Sequence, residues 1–118
     1  MTNLLFISVL LQAGFYIYAG VSHFRNPKFF LKITPKWVPS PEQVNLIIGA
    51  IEIIFGIGLL IPFTRSFAAI GIIILLIVVF PANIYHFQKS LKKGKFVIPT
   101  LIRLPVQFLL IYWAYVFV

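Results

Sequence analysis

The chain has 118 residues, of which 61% are hydrophobic and 10% charged, with a mean hydropathy of +1.04. A soluble domain carries about 25% charged residues, and one this short could not bury so much apolar surface, so the composition excludes a soluble globular domain. The net charge of +8 does not signal nucleic acid, because the basic residues flank apolar runs; the absence of cysteine excludes disulfides, thiolate nucleophiles and thiolate metal sites.

A helix needs about 20 mainly apolar residues to cross a hydrocarbon core ~30 Å thick. Four segments qualify, at roughly 4–24, 42–62, 66–87 and 97–118. The expected fold is therefore all-α, a single four-span domain over 1–118 forming an integral membrane four-helix bundle. The first span lacks a basic flank and a small-residue cleavage site, so a retained helix is expected rather than a removable signal peptide.

The first loop has helical character of its own. Asn26 and Pro27 suit an N-cap and first helical position, and Phe29, Phe30, Ile33 and Trp37 recur opposite Lys28, Lys32 and Lys36. Pro35 limits this helix to about two turns, and the amphipathic pattern predicts a segment lying in the headgroup layer. Ser40, Pro41 and Gln43 read as N-cap, first position and capping-box partner for the second span, with Glu42 favourably placed in its first turn. Residues 62–66 predict a tight turn, and residues 88–95, with four lysines and one glycine, a basic anchoring loop.

Charge then sets an expected orientation. Loops one and three hold Arg25, Lys28, Lys32, Lys36, Lys89, Lys92, Lys93 and Lys95, whereas loop two holds only Arg65. The positive-inside rule puts loops one and three in the cytoplasm and both termini outside.

Each span also carries one polar stripe. Gln12, Tyr16, Ala19 and His23 share a face of the first, Asn45, Gly49, Glu52 and Gly56 of the second, and Thr100, Arg103 and Gln107 of the fourth; the third contributes Asn83 and His86. Counting helix rise from the loop-one side, the histidines fall near the surface, Asn83 about 6 Å in, Arg103 about 9 Å, and Glu52 and Gln107 about 15 Å. Glu52 and Arg103 are thus expected to form an ion pair across facing stripes, since a charge facing lipid costs roughly 2.5–3.5 kcal/mol. Pro81 and Pro105 remove backbone donors at these levels, which suggests a widened pocket opening on the basic side. A metal site of His23, His86 and Glu52 is not expected, because Glu52 falls some 14 Å below His23 by helix rise. Polar side chains also glue helices together without further function, and Gly49, Gly56 and Gly58 allow close packing in either case.

At several of these positions the chain resembles the DoxX-like family of small bacterial four-helix membrane proteins. The similarity runs through Ala19-Gly20-Val21-Ser22-His23-Phe24, Pro35-Lys36-Trp37-Val38-Pro39, Gly49-Ala50-Ile51-Glu52, Pro62-Phe63-Thr64-Arg65, Phe80-Pro81-Ala82-Asn83-Ile84-Tyr85 and Arg103-Leu104-Pro105-Val106-Gln107. The resemblance implies a bacterial inner-membrane location, a link to quinone-dependent membrane redox chemistry, and partner oxidoreductase subunits; further copies of the chain are a separate expected partner. It carries no catalytic assignment, and the thiol-redox branch of its distant relatives does not apply to a chain without cysteine.

The leading expectation is an accessory or ligand-binding subunit of a quinone-linked redox system, holding a quinone or other lipophilic molecule near Tyr16, His23, Glu52, Asn83, Arg103 and Gln107. No resident cofactor is expected, since no haem or flavin motif is evident. Two other classes compete: a proton-coupled small-molecule transporter built on Glu52, and a membrane scaffold whose polar cluster only fixes helix register.

Overall fold

A computed structural model describes residues 2–32, 34–95 and 97–118. The order is α1 (Asn3–Arg25), α2 (Pro27–Lys32), α3 (Pro41–Leu60), α4 (Arg65–Lys93) and α5 (Val97–Tyr115), with no strand among the described residues. All but α2 are long and apolar enough to cross a membrane. Their outer faces are apolar: Leu4, Tyr18, Ile54, Phe67 and Ile98 are among many large side chains exposed to the surroundings.

Small residues decide how closely α1 and α3 approach. A methyl added at Gly20 would fall 2.5 Å from the Gly49 carbonyl oxygen, and one at Gly56 would fall 2.7 Å from Ile17 and 3.0 Å from the Ala13 carbonyl. The two helices therefore run antiparallel with their backbones nearly in touch. Gly58 and Gly71 of the next pair lie against Ala68 and the Phe55 ring, setting α3 against α4. Asn83 and Leu76 meet Gln107 across the α4–α5 seam. The Trp113 indole N–H donates to Ser8 Oγ at 2.8 Å, joining α5 back to α1.

The packed core sits at the end near the α3–α4 turn. Val9, Ala13, Leu59, Ala68, Ala69, Ile72, Leu76, Ala114 and Phe117 fill it, the alanines letting four helices converge. The turn is tied by side chains: Thr64 Oγ1 donates to the Gly58 carbonyl at 2.8 Å and Arg65 Nε to the Leu59 carbonyl at 2.7 Å. The Gly58 carbonyl also accepts the Ile61 N–H at 3.3 Å, so backbone and side chains together satisfy the carbonyls at the end of α3.

Two local expectations change. Helix α3 begins at Pro41 as the sequence suggests, but Ser40 adopts a left-handed conformation (φ 45°, ψ 60°) and makes no side-chain cap bond. A capping hydroxyl acts from extended backbone, so the capping box with Gln43 does not form. Helix α4 continues through Lys93, absorbing three of the four lysines assigned to a loop, and ends where Gly94 turns to φ 66°. Lysine is a good helix former, and the positive φ of glycine is what stops the helix. Helix α2 ends at Lys32, ahead of Pro35, with its Lys32 carbonyl held by Lys89 Nζ of α4 at 2.6 Å.

Candidate functional site

Above the packed core the bundle opens into a cavity of about 680 Å³ at the loop-one end, lined by all four long helices and by the α2–α3 connection. Its walls are mostly apolar and aromatic, and Tyr16, His23, Glu52, Asn83, Arg103 and Gln107 all contribute to the lining. The six do not form one cluster. They divide between two walls.

On the α1–α3 wall, His23 Nδ1 lies 2.6 Å from Asn45 Oδ1, while Asn45 Nδ2 donates to the His23 carbonyl at 2.9 Å. His23 Nε2 faces Glu52 Oε2 at 3.6 Å, and the Phe30 ring stacks on the imidazole with centroids 3.8 Å apart and planes 19° apart. Glu52 Oε2, the Tyr16 hydroxyl and both amide atoms of Gln12 are buried without a hydrogen-bond partner.

On the α4–α5 wall, Gln107 Nε2 donates to the Leu76 carbonyl at 2.6 Å, and Asn83 Nδ2 donates to Gln107 Oε1 at 2.9 Å. The Leu76 carbonyl lies one residue before the one that Pro81 deprives of its helical donor. A carbonyl accepts only, so it fixes the glutamine amide, which fixes Asn83 in turn. Asn83 Oδ1 then remains as an acceptor. At the rim, Arg103 Nη1 contacts His86 Nδ1 at 3.2 Å, and Phe29 meets the His86 ring edge-on at 6.1 Å.

The expected Glu52–Arg103 ion pair is absent from the described residues: Glu52 pairs with His23 and Arg103 reaches His86. Depth counted from the loop ends misplaced His23 and Glu52, because α3 starts well beyond the end of α1. Asn45, in the second turn of α3, is already level with His23. In antiparallel helices each side chain leans toward its own N-terminus, so His23 leans inward and Glu52 outward until they meet. The two histidines themselves belong to opposite walls.

The loop-one segment splits as well. Phe29, Lys32, Lys36 and Trp37 are exposed, whereas Phe30 turns inward over His23. Ile33 lies outside the described residues. Asn45 was not among the expected site residues, although its place on the Gly49–Glu52 face could have marked it. Nothing in the sequence pointed to Phe30 as a stacking partner.

Residues 12–118 match a protein family described as a domain of unknown function, DUF8561. The chain belongs to this family. Every polar residue of both walls lies within the part of this DUF8561 chain that the match covers. No curated protein and no solved structure matches it.

Proposed function

We propose that this DUF8561 protein is a four-span inner-membrane protein that binds a lipophilic molecule with a hydrogen-bonding oxygen, of quinone type, and serves as the ligand-binding or accessory subunit of a membrane redox system. The observation that carries this reading is the 680 Å³ cavity, whose apolar walls hold polar groups with unused hydrogen-bonding capacity. A pocket of this size accommodates a drug-sized ligand, which such sites hold by apolar contact and orient by a few polar groups. The apolar outer faces support residence in lipid, and the eight-to-one distribution of basic residues supports a cytoplasmic mouth. The DoxX-like resemblance supplies the link to quinones, and the redox centre itself belongs to a partner subunit.

Mass spectrometry of the protein released under mild conditions tests this reading. A co-purifying lipophilic molecule, displaced by a quinone analogue, is the expected outcome; protein that carries no such molecule and binds no analogue would overturn it.

One observation favours a second reading, proton-coupled transport: Glu52, which lines the cavity, has a buried carboxyl oxygen without a hydrogen-bond partner. A carboxylate that exchanges a proton for substrate is a common device within membranes. Substrate-driven proton release from reconstituted protein, lost in Glu52→Gln, would favour transport over static binding.

A further inference from the structure

The hydrogen bonds around His23 leave one proton to be placed. Asn45 Nδ2 donates to the His23 carbonyl, so Oδ1 is the atom that meets His23 Nδ1 at 2.6 Å. That oxygen can only accept, and Nδ1 must therefore carry a hydrogen. A neutral imidazole has a single N–H, which leaves Nε2 as a bare lone pair 3.6 Å from Glu52 Oε2. Two lone pairs facing each other at low exposure, 11% and 14% for the two side chains, repel unless a second proton sits on one of them. The pair then exists as imidazolium with carboxylate or as imidazole with carboxylic acid, and either form offers a donor. Phe30, stacked on the imidazole, shields one ring face.

The pair is also incomplete. At 3.6 Å no hydrogen bond closes between Nε2 and Oε2, and the Tyr16 hydroxyl, on a residue only 2% exposed, is equally unpartnered. Tyr16 of α1 and Glu52 of α3 both line the cavity. We propose that Asn45, His23 and Glu52 form a proton-holding subsite that donates a hydrogen bond to a ligand carbonyl oxygen, with the Tyr16 hydroxyl as second donor, so that binding is coupled to one proton. This rests on the reading of the cavity as a site for a lipophilic carbonyl compound. Tyr16 and whichever of His23 and Glu52 holds the proton touch the ligand, and Asn45 is a positioning residue that acts through the His23 tautomer.

The remaining groups around the cavity leave that proton unchallenged. Helix α2 contributes the Phe30 ring, with Lys28 and Lys32 exposed. Helix α4 contributes the uncharged Asn83, while His86 accepts from Arg103 of α5 at the rim, on the opposite wall. Rising pH removes the shared proton, leaving a carboxylate against a lone pair and only Tyr16 to donate.

The chain has two histidines, so nitrogen-15 histidine labelling of the full protein in nanodiscs, with His86→Gln to leave one signal, reads His23 directly. Nδ1 is expected to stay protonated throughout a pH titration while the Nε2 resonance moves. Glu52→Gln, whose amide can donate to Nε2, should keep the tautomer and abolish that movement. Asn45→Leu should shift the neutral ring toward the Nε2–H tautomer. An Nε2–H, bare-Nδ1 ring in the wild-type background would overturn the proposal, whatever the variants do. In the ligand arm, decylubiquinone affinity should fall about tenfold between about pH 6 and about pH 9 in the wild type and stay flat in Glu52→Gln. A flat wild-type profile overturns the proton coupling and leaves the ligand reading standing. If the analogue binds at no pH, the ligand reading and its hydrogen bond fall together, and the tautomer titration alone decides the proton-holding pair.

Discussion

Gln107 fixes the α4–α5 contact with one side chain, donating to the Leu76 carbonyl and accepting from Asn83 while only 5% exposed. Replacing it with leucine removes both bonds and leaves the half-buried Asn83 amide without its acceptor. Gln107→Leu should therefore destabilise the protein by about 1–3 kcal/mol, read from thermal or denaturant unfolding in detergent, and weaken quinone-analogue binding by releasing Asn83. Conversely, Arg103→Gln should scarcely alter stability, within about 1 kcal/mol, because the guanidinium is exposed at the rim and its contact is with neutral His86. The residue types at both walls were legible in the sequence, as stripes on four helices. Their partners were not, since a stripe gives the angle of a residue on its own helix and nothing about the register of the next.

Among elements, the α1–α3 seam is where packing is tightest. A methyl at Gly20 would collide with the Gly49 carbonyl, and backbone cannot swing aside as a side chain can. Gly20→Ala should cost about 1–3 kcal/mol by forcing the helices apart, and it should also disturb the His23–Asn45 bonds one turn away. Gly14, on the same helix, has nothing within 4 Å of an added methyl. Gly14→Ala should be neutral or stabilising by up to about 1 kcal/mol, since alanine is the better helix former. Unfolding of the two variants side by side separates seam packing from helix propensity. Helix existence followed from apolar runs long enough to span, whereas helix ends did not: the lysines that read as a loop continue α4, and Ser40 starts α3 without capping it. Hydropathy marks where a chain becomes polar, and a helix stops only where its backbone turns.

For the molecule as a whole, the packed core near the α3–α4 turn and the open cavity at the loop-one end make the bundle asymmetric along its axis. The basic residues gather at the open end. Because the chain has no cysteine, single substitutions report topology cleanly. A membrane-impermeant maleimide should label Phe63→Cys from outside intact cells, and Lys36→Cys or Lys93→Cys only once the membrane is opened. The reverse pattern would place the cavity mouth on the outer side.

Composition and periodicity were enough to determine four long apolar helices, their antiparallel order and the polar face of each, because these depend on local chain length and on the 3.6-residue repeat. Only the tertiary structure decided that Glu52 takes His23 and Arg103 takes His86. That choice follows from how far α3 extends past α1, a displacement set by contacts between glycines and backbone on separate helices, which no reading along a single helix contains.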